Sequence, residues 1–169
     1  MTTPAPTTPT RPLDHQLVSR FKVEVDTNVT GTGAAAWVQL RGIRSLKPSL
    51  TPTMQDVGDF DSGPWGDQAK TMLAWGLDMT VKRGTTGTTT RVPDPGQEVV
   101  RKAAEGFGPS SVVHVRWYDR NGGVEAYEGY AEATWDPAGG DKTAVDEVSC
   151  NLTGKGERLV ITNPATAAA

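Results

Sequence analysis

An antiparallel β-sandwich or barrel with one flanking α-helix is the fold this sequence predicts, on three observations. Apolar and polar residues alternate with period two in several separate segments; a single stretch has helical periodicity; and no internal repeat of solenoid length occurs. Strict alternation marks a strand with one face in a core and the other in water, which is the usual state of antiparallel sheets.

The alternating segments are "RFKVEVD" (20–26), "AWVQLRGIRSL" (36–46), "TMLAWGLDMTVKR" (71–83), "SVVHVRWYD" (111–119), "VEAYEGYAEATW" (124–135) and "AVDEVSCNLTG" (144–154), with a short closing segment "ERLVIT" at 157–162. The third is the clearest: Leu73, Trp75, Leu77, Met79 and Val81 share one face, and Ala74, Asp78, Thr80 and Lys82 the other. The helix is expected over 95–107. Asp94 caps it, Pro95 suits its first position, and Gln97 completes a capping-box spacing. Val99, Val100, Ala103, Ala104 and Phe107 form its apolar face; Glu98, Arg101, Lys102 and Glu105 face water, and Gly106 and Gly108 stop it.

Around this β domain, expected over 18–163, lie an extended or disordered N-terminal arm (1–17) and a flexible C-terminal tail (164–169). The arm opens "MTTPAPTTPTRP", which has almost nothing to bury. Within the domain, residues 47–70 read as one long polar loop.

Composition excludes several function classes. With a net charge of -3 and basic residues never more than two in a row, the chain lacks the cationic stripe that grips phosphates. No apolar run approaches the roughly 20 residues of a membrane helix, and the first residues lack the basic-then-apolar order of a secretory signal. Cys150 is the single cysteine; in an alternating segment it reads as a small buried hydrophobe. The sequons at Asn28 and Asn151 read as chance matches in a protein made in a reducing cytosol.

The motifs with chemical potential fail on spacing. "DVGDFDSGPWGDQAK" (56–70) interleaves carboxylates with glycine, as a calcium loop does. Counted from Asp59, however, the fifth position is Gly63, the sixth Pro64 and the twelfth Lys70, where the cation needs oxygen ligands, glycine and glutamate. "GTGAAA" (31–36) fits a loose dinucleotide fingerprint, but a strand-like segment follows it where a helix must start. His15 and His114 with one cysteine have no zinc spacing, and "PSS" (109–111) reads as a turn. No active site, metal or cofactor is expected. Of the five tryptophans, Trp75, Trp117 and Trp135 read as core. Trp65, between Pro64 and Gly66, either anchors an interface or folds back onto the domain.

Three blocks together resemble the tail tube (major tail) protein of long-tailed bacteriophages, over about residues 20–163. They are "WVQLRGIRSLKPSL" with the acidic loop and "TMLAWGLDMTVKRG"; "DPGQEVVRKAAEGF" leading into "SSVVHVRWYD"; and the ending "YEGYAEATWDPAGGDKTAVDEVSCNLTGKGERLVITNP". The resemblance implies a structural virion protein, not an enzyme. Its subunits form six-membered rings that stack into a tube through which double-stranded DNA passes without specific binding. It also implies a tape measure protein and a tail terminator as partners, residence in the virion tail, and synthesis in the host cytoplasm. Carried onto this chain, the long loop supplies Asp56, Asp59, Phe60, Asp61 and Trp65 as inter-subunit contacts, and Asp78, Thr80 and Lys82 are candidates for the lumen. The rival is a non-catalytic β-sandwich binding module, carbohydrate-binding or virion-decorating, with Trp65 as its stacking platform.

Overall fold

The computed structural model describes residues 15–28, 33–61, 64–87 and 90–167. The arm expected over 1–17 lies outside them except for its last three residues. Along the chain run β1 (Phe21–Asp26), β2 (Trp37–Gln39), β3 (Ile43–Asp56), β4 (Gln68–Lys82), the two-residue pair β5 (Thr85–Thr86) and β6 (Val92–Pro93), α1 (Pro95–Glu105), β7 (Val112–Asp119), β8 (Ala126–Pro137), β9 (Glu147–Val160) and α2 (Pro164–Ala167).

Seven strands form one antiparallel sheet in the order β2-β1-β7-β8-β9-β4-β3. Its two edge strands, β2 and β3, are separated in the chain only by residues 40–42, so the sheet must roll until its edges meet. That link is hydrogen-bonded to both sides: the Leu40 amide donates to the Val23 carbonyl at 3.0 Å, and the Gly42 carbonyl accepts from the Lys82 amide at 2.8 Å. The expected single strand over 36–46 is therefore broken. Gly42, at φ +79°, takes the left-handed turn that the alternating pattern concealed.

The inner face of the rolled sheet carries Val23, Val25, Val113, Val115, Trp117, Leu77, Met79, Val81, Cys150 and Leu152, all buried. Helix α1 lies on this core through Val100 and Ala103. Asp94 caps it, accepting from the Gln97 amide at 3.2 Å. The buried Gln97 side chain then ties the helix to the barrel seam, its Nε2 donating to the carbonyls of Arg41 and Lys82 at 2.8 and 2.9 Å. The helix ends at Glu105, two residues early. Phe107 lies beyond it and is exposed, because Gly106 leaves the helical path and its amide closes onto Ala103.

Four further expectations are corrected. Residues 47–70 are not a loop: β3 continues to Asp56 and β4 starts at Gln68, leaving a connector of 57–67. Pro48 and Pro52 fall within β3, which is an edge strand, where a missing amide donor is tolerated. The segments at 144–154 and 157–162 are one strand, β9, carried past its register shift with β8 near Tyr130. Residues 164–167, expected as tail, make one helical turn. Asn163 holds its start, with Nδ2 donating to the carbonyls of Asp119 and Gly123 and Oδ1 accepting from the Ala165 amide. Trp135, expected as core, is only partly buried, and its enclosed Nε1 has no partner.

Candidate assembly surface

The β3–β4 hairpin determines which residues are available to another molecule. Near its base, the buried Leu46 pairs with the buried Met79, and the exposed Pro48 lies opposite the buried Leu77. The same face continues outward through Leu50, opposite Trp75, and Pro52, opposite Leu73. There the body of the protein ends. Leu50, Met54, Met72 and Leu73 are all about half exposed or more. Leu73, read from the sequence as a core residue, is 52 % exposed. Nothing in its alternation could reveal this, since an apolar strand face looks the same whether or not a layer covers it.

Trp75 marks the boundary. Its indole lies across Gly129 and Gly154, where a Cβ would come within 2.6 and 2.4 Å of ring atoms. Its Nε1 donates to the Gly156 carbonyl at 2.9 Å, and it stacks on Trp117 at 5.3 Å between ring centroids. Beyond this plug the hairpin is two strands with no second layer, an arrangement that is marginally stable in water on its own.

The connector at the hairpin tip brings together the five residues expected as contacts. Two of its carboxylates shape the turn: Asp56 Oδ1 accepts from the Gly58 amide at 2.9 Å, and Asp59 Oδ1 from the Asp61 amide at 3.0 Å. The Val57 amide closes the turn onto the Asp67 carbonyl at 3.0 Å. Phe60 and Trp65 stand out from it, 108 % and 82 % exposed. Of the two readings left open for Trp65, folding back onto the domain does not occur.

The sheet's outer face is polar and carries the second set. Asp78 lies between Lys47 of β3 and Asn151 of β9, Thr80 between Ser45 and Ser149, and Lys82 beside Glu147. Across the sheet, this face holds a tight ionic cluster that the sequence did not single out. Burial pushes the Glu24 carboxyl up, but Lys22, Arg116 and Tyr118 at 2.6–3.0 Å together bring it below its ordinary range. Asp26 is likewise raised by burial yet lowered overall by the amides of Asn28 and Ala36 and by His114. His114 Nε2 sits 2.8 Å from Glu128, and its ring lies between Trp37 and Tyr130. Cys150, under the opposite face, has its thiol pushed up to about 12 by burial, so it is inert.

No protein-family model matches the chain, and no curated protein matches it in sequence. Solved structures do match in fold. A gene transfer agent tail refined with helical C6 symmetry superposes with a TM-score of 0.64 at 14 % identity, covering 87 % of this chain and 99 % of that one. The SPP1 tail tube gives 0.63 at 13 % identity, over 90 % of this chain and 83 % of its own. A chain of a native gene transfer agent virion gives 0.60 at 12 %, over 85 % and 97 %. The rolled antiparallel sheet with its flanking helix is thus similar in fold to phage tail-tube subunits.

Proposed function

We propose that the chain is a structural subunit that associates with copies of itself into six-membered rings stacked as a tail tube, a conduit for double-stranded DNA. The observation that carries this reading is the hairpin. Its apolar residues project beyond the core of the described residues, on a domain whose fold is shared with a tail solved in six-fold symmetry. Exposed apolar surface of this kind marks an interface, and unpaired strand edges are a hazard unless a neighbour consumes them. The rings would use Asp56, Asp59, Phe60, Asp61 and Trp65 as contacts between subunits. The polar sheet face with Asp78, Thr80 and Lys82 would line the lumen, where carboxylates alternate with lysines and hydroxyls and so give DNA no continuous cationic track. This role belongs to the virion tail, after synthesis in the host cytoplasm, with a tape measure protein and a tail terminator as further partners. It needs no catalysis and no cofactor.

Negative-stain microscopy of the purified chain tests the reading. Rings or tubes are expected, and a strictly monomeric sample at the highest reachable concentration would contradict it. Replacing residues 54–71 by an Asn-Gly turn, which suits a two-residue hairpin, is expected to abolish the polymers and leave the β-rich circular dichroism spectrum intact.

A further inference from the structure

The barrel seam leaves a cleft. Strand β2 pairs with β1 only from Glu24 to Asp26, so on the side of β1 away from β7 no strand is paired at Phe21–Val23 among the described residues, where the Val23 carbonyl takes the Leu40 amide. Facing it is the outer edge of β3 at Ile43–Leu46, also without a neighbouring strand there. Between them is a cavity of about 470 Å³, within the range of about 300–1,000 Å³ typical of binding pockets. Its floor is apolar, from Phe21, Val23, Leu40 and Leu46; its charged lining residues are Lys22, Arg41, Arg44 and Arg120, with no carboxylate among them. The acidic partners of these cations lie outside the lining: Glu24 for Lys22, Glu147 for Arg44 and, at 3.9 Å, Asp94 for Arg41. Arg120 spends one donor on the Phe21 carbonyl. The Arg41 and Arg44 side chains stay 66 % and 61 % exposed.

We propose that this cleft receives the hairpin tip of a second copy of the chain, an inference that rests on the self-assembly reading and names its acceptor. The tip has the matching chemistry. Asp56, Asp59, Asp61 and Asp67 surround two outstanding aromatic rings, so carboxylates meet the cationic rim while Phe60 or Trp65 reaches the apolar floor. The open edge of β3 can take up the tip's backbone as an added strand. The tip cannot fill the cleft of its own subunit. Ile43, at the cleft, and Asp56, at the tip, are opposite ends of one strand, about 40 Å apart at the usual rise per residue. The contact is therefore head-to-tail between copies, the kind that propagates into rings or filaments and does not stop at a two-fold dimer. The chain's own first residues are a poorer occupant by charge, with Arg11 and one carboxylate, Asp14, in residues 1–14.

Two half-disabled variants test this. R41E/R44E keeps the tip and loses the cleft; D61K/W65A keeps the cleft and loses the tip. All four side chains are exposed, so both variants are expected to keep the parent's circular dichroism and melting temperature. R41Q/R44Q serves as a milder cleft variant if the reversal does not fold. Neither variant alone is expected to self-associate, its association weakened about tenfold or more, whereas an equimolar mixture forms a one-to-one complex in sedimentation velocity that added salt dissociates. If both variants polymerise as the parent does, the cleft is not the acceptor, while the assembly reading stands. If neither polymerises and the mixture stays monomeric, the docking is likewise overturned. A parent that is itself monomeric, together with no complex in the mixture, overturns both readings. If removing residues 1–14 abolishes the dependence of assembly on Arg41 and Arg44, the chain's own N-terminal stretch is the occupant and the proposal falls.

Discussion

Strands β3 and β4 pass through two environments, and the contrast between them explains the molecule. From Ile43 to Pro48 and from Trp75 to Lys82 they are walls of the barrel, with Leu46, Trp75, Leu77, Met79 and Val81 sealed against α1 and the neighbouring strands. From Leu50 to Leu73 the same two strands stay paired, through a register shift between Thr53 and Met54, but bury almost nothing. Hydrogen bonding continues unchanged across the boundary, so backbone pairing does not separate body from hairpin. Coverage of the apolar face does. Stability resides where a second layer exists, and the uncovered continuation is left for another subunit to cover.

The largest expected break in this contrast comes from paired tryptophan truncations. Trp117→Ala, in the body, is expected to cost about 3–5 kcal/mol in urea denaturation, the usual loss for a buried aromatic. Trp65→Ala, at the tip, is expected to leave monomer stability within about 0.5 kcal/mol while reducing assembly seen by light scattering. Equal losses at both sites would erase the distinction.

Next comes the boundary itself. Gly154→Ala places a methyl 2.4–2.5 Å from the Trp75 indole. It is expected to cost about 1–3 kcal/mol by overpacking and to quench the protection of hairpin amides along with those of β9. Hydrogen exchange in the parent sharpens the same boundary: amides in the 51–70 region are expected to exchange fast in the monomer and to gain protection on assembly. Full protection already in the monomer would mean that the hairpin needs no partner.

Acid should weaken the body before anything else. The folded-state values of Glu24 and Asp26 are held below the ordinary carboxylate range, as is that of Asp119, which accepts from the Asn121 amide and pairs with Arg20. A depressed folded value means stability that is fully present above the unfolded carboxylate range, near pH 4, and lost as pH falls through the lower folded values. The melting temperature should therefore drop between about pH 4.5 and 2.5, and Asp26→Asn should flatten that slope. The smallest effect is at the helix cap: Asp94→Ala, which removes the acceptor for the Gln97 amide, is expected to cost about 1 kcal/mol.

Local chemistry made much of the fold legible in advance. Alternation located β1, β4, β7, β8 and, in two pieces, β9, because a side chain's face is set by its parity, but it reached only the first residues of β3. The Asp94-Pro95 start located the helix, and Gly106 its end to within two residues. The tip was only half legible: its glycines and carboxylates left Trp65 open between an interface anchor and folding back onto the domain, and the structure leaves both Phe60 and Trp65 exposed. What the segment did not show is that β3 runs on through Pro48 and Pro52: whether proline ends a strand depends on whether the strand is at an edge, a property of the sheet and not of the segment.

By itself, then, the sequence determined most of the strands, the helix, a single buried thiol and an acidic stretch carrying Phe60 and Trp65. Tertiary structure decided the rest: which half of the β3–β4 apolar face is covered, which carboxylates meet His114 and Arg116, and that β2 and β3 end at a common seam. The reason is physical. Periodicity reports which residues share a face, whereas burial, ionic pairing and clefts depend on what another part of the chain, tens of residues away, lays against that face.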